Sequence, residues 1–398
     1  MKRFLLFASI LLNFLNLNAQ QFSISDSAVI SLITCSPGEE IYSKFGHSAI
    51  RINDPKNNLD VVFNYGIFSF ETNNFYYKFI KGETDYQLGV YDTRYFLPEY
   101  AARNSMVVEQ ILNLTPPEKK TLFALLSQNY QPENRTYRYN FVFDNCATRP
   151  RDKILASLHG YVKFQNFTDS KTFRQLIGNY IGNDTWLKFG IDVVFGIEAD
   201  RIATESESMF LPEILMSEFQ TAEIITQDGK SRKLVSDRSN LVQKTNLNEN
   251  QTSWLFKPLT FSIFLLIVGS IITFWDTKRR HYYKPFDAVL FGITGLGGII
   301  VFYLMFFSLH PLVKNNLNIL WLNPLNLLIV ALLWIRKLRV AQFFYQILNV
   351  LILLGALLAF ALSAQSINIA AFPIIVLLLM RNVSFIALTR KKIYRRRR

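Results

Sequence analysis

The chain has 398 residues, half of them apolar, and 43 Lys and Arg against 30 Asp and Glu, so its length allows two or three domains and its net charge of +13 suggests an anionic partner. Three short stretches, 276–287, 336–339 and 390–398, hold 14 of the basic and only two of the acidic residues. The remaining 373 residues carry 29 basic and 28 acidic side chains, which excludes a basic nucleic-acid-binding surface and makes the excess charge a topology signal.

In chain order, Lys2 and Arg3 precede the apolar run FLLFASILLNFLNL and then Asn18-Ala19, the pattern of a cleavable export signal over residues 1–19. The exported part spans 20–236 and starts strand-like. HSAIRI (47–52), DVVFNYGIFSF (60–70) and DYQLGVY (85–91) are rich in β-branched and aromatic residues, with FYYKFIKG (75–82) as a short helix between the last two. Thr115 with Glu118 three residues on, and prolines in the first turn, predicts a helix to about Tyr130. YRYNFVFDNC (137–146) reads as a strand ending at Asp144-Asn145, followed by a helix over CATRPRDKILASL. Residues 172–220 are mostly helical, and 222–236 form a hairpin with Asp228-Gly229 at its turn. The polar segment 237–253 is a tether, so the exported region is an α+β domain with a helical extension.

The rest, 254–398, is membrane-like. Five spans are predicted: 259–275, about 287–307, 319–335, 341–364 and 367–388. Alternating connections put the three basic stretches on one side, the cytoplasm by the positive-inside rule, and 308–318 and 363–368 outside with the exported domain. The protein is thus expected in the inner membrane with a cytoplasmic C-terminus. The glycines of FGITGLGGII suggest close helix packing, and Arg381 in the last span either snorkels or pairs with a polar group in the bundle. No span shows the paired acidic residues of an ion-coupled transporter.

The chemistry rests on few residues. Both cysteines, Cys35 and Cys146, are exported. A disulfide between them is one reading, which would suit a non-catalytic assembly protein. The other is that Cys146, at a strand-to-helix junction after Asn145 as N-cap, is a nucleophile. There the helix N-terminus lowers the thiol pKa, and free backbone N–H groups hold an oxyanion. Cys35, in TCSPGEE, has a turn-like context. Of four histidines, His47 in FGHSAIRI begins an exported strand and is the candidate base, with a pKa near neutrality. Asn64, Tyr42 and Tyr65 are candidates for the group that orients its ring. Arg51, Arg149 and Arg151 flank the two motifs and suit a lipid phosphate, or else form ion pairs with Asp54, Asp144 or Asp152. His310, in an outer loop, either contacts a headgroup or makes a structural bond. MFLPEILM (209–216) is expected to pack in the core rather than dip toward lipid.

GHSAIRI followed about a hundred residues later by an Asn-Cys at a helix start resembles the circularly permuted papain-like superfamily, in which His precedes Cys; lecithin:retinol acyltransferase is a member. More closely, TCSPGEEIYSKFGHSAIRI, FNYGIFSF, DNCATRPRD, MFLPE and the membrane tail resemble the Lnb-type lipoprotein N-acyltransferases, over nearly the whole mature chain. The resemblance implies a permuted papain-like exported domain on a five-span all-α membrane domain. It further implies Cys146 as acyl carrier, His47 as base, and no cofactor or metal. A phospholipid would be the acyl donor and a diacylglyceryl apolipoprotein the acceptor. The competing enzymatic reading is a membrane-tethered cysteine amidase or peptidase acting on cell-wall peptide.

Overall fold

The computed structural model describes residues 23–165, 170–245 and 253–394. The predicted export signal, and residues 246–252 of the predicted tether, lie outside the described residues.

The exported part is organised by a seven-stranded, wholly antiparallel sheet. Its strands are β1 (Val29–Cys35), β2 (His47–Asp54), β3 (Leu59–Ile67), β4 (Asp85–Asp92), β5 (Val107–Leu112), β6 (Thr136–Arg138) and β10 (Val235–Val242), in the order β10-β5-β1-β2-β3-β4-β6. The period of two along each strand gives the sheet two buried faces. One carries Ile30, Leu32, Ile50, Ile52 and Phe63 under helix α3 (Pro116–Tyr130) and helix α4 (Thr148–Ser157). The other carries Ile33, Cys35, Ala49 and Val62 under Phe96 and Tyr100 of α2 (Thr93–Ala102). Between β3 and β4 lies the predicted short helix α1 (Phe75–Lys81), closed by Gly82.

Several local expectations meet their structure. Thr115 and Glu118 form the capping box of α3. Helices α5 (Phe173–Ile181), α6 (Trp186–Val194), α7 (Glu205–Ser208) and α8 (Pro212–Thr221) make up the helical extension, where Met209, Phe210 and Leu211 are core residues. The 222–236 hairpin is β8 (Glu223–Ile225) with β9 (Ser231–Lys233), in a small sheet with β7 (Tyr161–Lys163). Two expectations are corrected. The strand predicted over 137–146 ends at Arg138, and the chain turns between Asn140 and Asp144 before α4. The tether does not begin at Asp237, because 235–242 form edge strand β10 on β5; a polar sequence suits an edge strand exposed to water.

The C-terminal part is helical: α9 (Pro258–Arg279), α10 (Lys284–Phe307), α11 (Asn326–Leu332), α12 (Arg339–Ala361) and α13 (Ala371–Tyr394). Among the described residues four helices are long and apolar enough to cross a membrane, not the five expected. The predicted third span is broken into a 3-10 turn at Leu317–Leu320 and the seven-residue α11. Pro324 interrupts it, and Asn323 bonds the Leu325 N–H at 3.0 Å. Asn326 is held in the bundle by Thr294 and Tyr345, each at 3.1 Å. The glycines of α10 serve close packing, as expected: a Cβ at Gly298 would lie 2.1 Å from the Leu322 carbonyl oxygen. Arg381 does not snorkel. It is fully buried, bidentate to Asp287 at 2.7 Å and bonded to Asp276 at 2.8 Å. Two acidic residues therefore do converge within the bundle, bridged by one guanidinium.

The outer loops lock the two halves together. Asp192, buried on α6, binds Arg174, Lys188 and Asn368. Asn318 bonds the Asp192 and Val193 carbonyls, and Gln365 bonds that of Phe195. Both segments predicted to lie outside, 308–318 and 363–368, thus contact the exported domain.

Candidate active site

His47 opens β2, directly across from Cys35, the last residue of β1. Gly46 before it adopts φ +77°, and a Cβ there would sit 2.7 Å from the Cys35 carbonyl oxygen, so the tight entry into β2 requires glycine. The imidazole Nε2 lies 2.6 Å from Asn64 Oδ1 on β3. An amide oxygen only accepts, so Nε2 carries the proton and Nδ1 keeps a lone pair. Tyr100 stacks on the ring at 6.2 Å between centroids, tilted by 14°. Of the three candidates for an orienting group, geometry selects Asn64. Tyr65 donates instead to Asn129 at 2.8 Å, and Tyr42 packs against Phe68 and Phe70.

Cys146 lies two residues before α4 and packs against the core on the α3–α4 face of the sheet. Its thiol accepts the backbone N–H of Ser48, the residue after His47, as well as its own. A Cβ on Gly66 of β3 would stand 3.5 Å from the Cys146 Cβ. Thiol and imidazole are therefore anchored at neighbouring backbone positions, although no hydrogen bond joins them directly. Resting active-site contacts are commonly loose and close on the bound substrate. Both cysteines are free thiols.

Electrostatics differ from the sequence expectation. Burial pushes the Cys146 thiol up to about 11, against the lowering effect of the Ser48 N–H. Burial takes His47 down to about 4, opposed by the Asn64 bond and helped by the charge of Arg103. Both side chains keep some accessible surface, yet protein surrounds them deeply enough to disfavour either charge. The resting pair is a neutral thiol and a neutral imidazole, not the lowered thiol and near-neutral base that their positions suggest. The helix start is also less available than expected. Asn145 Oδ1 accepts the N–H groups of Ala147 at 2.8 Å and Thr148 at 3.0 Å, and the Cys146 N–H, which contacts its own thiol at rest, becomes the nearby donor for an oxyanion only once sulfur has reacted.

The predicted binding residues are mostly committed elsewhere. The N-cap position of α4 is Ala147, not Asn145 as expected; the Asn145 side chain accepts the first N–H groups and its amide nitrogen donates to the Phe141 and Phe210 carbonyls, so no group remains for substrate. Arg51 is bidentate to Asp60 and pairs with Glu109, while Asp54 instead holds Ser25 and Asn57. Arg149 is bidentate to Asp144 and lies 3.6 Å over the Tyr137 ring. Arg151 pairs with Asp152. His310 makes a structural bond, donating from Nε2 to the Phe79 carbonyl at 2.7 Å. Cys35 is not in a turn but at the buried end of β1, where the Tyr100 hydroxyl donates to it and burial raises its pKa far above the usual thiol range. Sequence reasoning missed Ser48, Tyr100 and Arg103. Ser48 contributes only its backbone, which no side-chain motif reports. Arg103, paired with Glu99, sits over the Tyr100 and Tyr42 rings at 5.6 and 5.9 Å, a placement set by α2 crossing the sheet.

Fold and site together define a class: a membrane protein whose exported α+β domain holds an amide-oriented imidazole and a half-buried thiol bonded to the backbone of the residue after that histidine. The family model for the Lnb N-terminal periplasmic domain matches residues 16–178, and that for the Lnb transmembrane domain matches residues 249–393. The chain belongs to the Lnb family. That membership points to a membrane protein that processes lipoproteins, and to an enzyme. No curated protein and no solved structure matches the chain.

Proposed function

We propose that the protein is an apolipoprotein N-acyltransferase that works through a Cys146 thioester. The observation that carries this reading is the Asn64–His47 bond beside a thiol held by the Ser48 N–H, in a domain docked onto membrane helices. Because both groups are neutral at rest, thiol deprotonation is coupled to attack. Sγ bonds to the ester carbonyl carbon of a phospholipid as its proton moves to His47 Nδ1, and the Cys146 N–H faces the developing oxyanion. Collapse breaks the ester C–O bond, Nδ1–H protonates the departing oxygen, and a lysophospholipid leaves an acyl thioester. In the second half His47 accepts a proton from the α-amino group of a diacylglyceryl-cysteine apolipoprotein. The amine attacks, the C–S bond breaks, and the thiol is restored. No cofactor is needed: the ester-to-thioester step is uphill, but the thioester keeps the acyl-transfer potential that the amine uses, and amide formation makes the transfer downhill overall.

The attachment of both outer loops to the exported domain supports a lipid substrate, since a single span would tether an enzyme that acts on soluble peptide. It also bears on topology. With both ends of 308–318 and 363–368 on the outer side, α12 must begin on the inner side, and at about 1.5 Å per residue its 23 residues are long enough to cross. Residues 319–338 then return across the membrane as a short, broken third crossing. The basic stretches and the C-terminus fall on the cytoplasmic side of the inner membrane.

Intact mass measurement of the purified protein incubated with phospholipid tests the proposal. One acyl adduct on Cys146, absent in Cys146→Ala, is expected. Unmodified protein, together with unchanged N-terminal triacylation of lipoproteins in cells lacking the chain, overturns it.

A further inference from the structure

Helix α1 is built inside out. Of its seven residues FYYKFIK only Phe75 is buried, whereas Tyr76 is 72% exposed, Tyr77 56%, and Phe79 and Ile80 45% each. Lys78, the residue that would normally face water, is half-buried. In a helix surrounded by water this arrangement forfeits the stabilisation that burying its rings would give.

Its position explains the inversion. The loop that leaves the outer end of α10 is bonded to the last turn of α1: Ser308 Oγ donates to the Ile80 carbonyl at 2.8 Å, the Leu309 N–H to that of Lys81 at 2.8 Å, and His310 Nε2 to that of Phe79 at 2.7 Å. The Tyr77 and Tyr303 hydroxyls meet across the α1–α10 contact. Phe306, Phe307 and Leu309 continue the exposed apolar surface from α10 onto α1. Behind α1 runs a row of rings. Phe79 stacks on Phe75 at 6.2 Å, Phe75 on Phe68 at 5.7 Å, Phe68 on Tyr86 at 4.9 Å, and Tyr86 on Tyr139 at 4.1 Å. Phe68, Tyr139 and Cys146 pack against the same core.

We propose that α1 is seated in the outer leaflet, with Tyr76, Tyr77 and Ile80 at the boundary between headgroups and acyl chains. The row of rings behind it is then the route by which a phospholipid acyl chain reaches Cys146. An interfacial helix with tyrosines outward suits that depth. The exposed face is continuous with a membrane helix, so its occupant is lipid rather than a second protein. The route depends on Cys146 being the lipid-acylated thiol; the seating of α1 does not.

Two experiments on the full chain in phosphatidylethanolamine–phosphatidylglycerol nanodiscs separate these claims. In the first, Tyr76→p-benzoylphenylalanine is illuminated and its adducts are identified by mass, with Tyr161→p-benzoylphenylalanine on the small sheet as the comparison. A phospholipid adduct at 76 and none at 161 is expected. No lipid adduct at 76, equal labelling at both positions, or crosslinking of 76 to another protein overturns the seating. In the second, alkylation of Cys146 by a bilayer-partitioned long-chain maleimide is compared with alkylation by iodoacetamide. The double variant Tyr76→Glu with Ile80→Glu should slow the lipophilic reagent by about tenfold and leave the water-soluble one within about twofold, as expected when charge is placed on an interfacial apolar face. Equal effects on both reagents, or none on either, overturn the route. Because neither readout requires acyl transfer, failure of the proposed reaction is distinguishable from failure of this proposal.

Discussion

Replacing Asn64 by alanine isolates the bond on which the proposed chemistry turns. In the wild type Asn64 Oδ1 accepts Nε2–H at 2.6 Å, which fixes the proton on Nε2 and leaves Nδ1 to take a proton from sulfur. In Asn64→Ala the buried N–H loses its acceptor, which costs about 1–3 kcal/mol. The imidazole escapes that cost by moving its proton to Nδ1, the tautomer that cannot act as base toward the thiol. At about 1.4 kcal/mol per factor of ten, the acylation rate should fall roughly 5- to 150-fold with little change in KM, since the amide is not expected to touch lipid. Asn64→Asp keeps an acceptor and adds a negative charge, which should raise the His47 pKa from about 4 by roughly 1–3 units. Much of the rate should therefore survive in Asn64→Asp, with a new acid limb near neutrality. Single-turnover acylation of Cys146, followed by intact mass from pH 5 to 9, reads all three proteins. An Asn64→Ala rate within about twofold of wild type across that range, or an effect confined to KM, would refute the orienting role.

Iodoacetamide should alkylate Cys146 faster by about tenfold per pH unit through neutrality, because a thiol held up to about 11 is nearly all protonated there and only the thiolate reacts. A rate plateau below pH 8 would signal an ion pair instead. Cys35→Ala should retain turnover with a stability loss of about 1 kcal/mol, since the side chain is small and lies in the core; abolished turnover would give Cys35 a chemical role. Arg381→Met should destabilise the membrane bundle by about 3–5 kcal/mol by leaving Asp276 and Asp287 uncompensated, and adding Asp276→Asn with Asp287→Asn should recover much of it, as read by thermal aggregation in detergent. Asp192→Ala should loosen the exported domain from loop 363–368 by removing partners of Arg174, Lys188 and Asn368 together, which hydrogen exchange in that loop would report.

Elements governed by near neighbours were legible in the chain itself. The Thr115–Glu118 cap, the short helix before Gly82, the Asp228-Gly229 hairpin and four of the five apolar runs depend on periodicity and on contacts a few residues apart. The order of His47 and Cys146, each near the start of an element, likewise singled them out as the candidate pair. β1 was not recognised, because the Ser-Pro-Gly after Cys35 drew that residue into a turn, whereas the strand runs through it.

What the tertiary structure decided has long-range causes. Asn64 was one of three orienting candidates until β3 paired with β2 and brought its amide to the imidazole. The arginines near the motifs were equally suited to phosphate until carboxylates from other strands, or from the turn before α4, engaged them. The apolar run 319–335 is long enough to span a bilayer, but its Asn326 found partners on α10 and α12, Asn318 just before it bonded α6, and Pro324 broke the helix between them. Protonation states belong to the same class. A cysteine near a helix N-terminus reads as acidic, and a strand histidine as near-neutral, until the depth of protein around each is known, and desolvation then moves both toward their uncharged forms. Side-chain identity and spacing fix local geometry; burial and pairing between distant segments fix charge, partner and access.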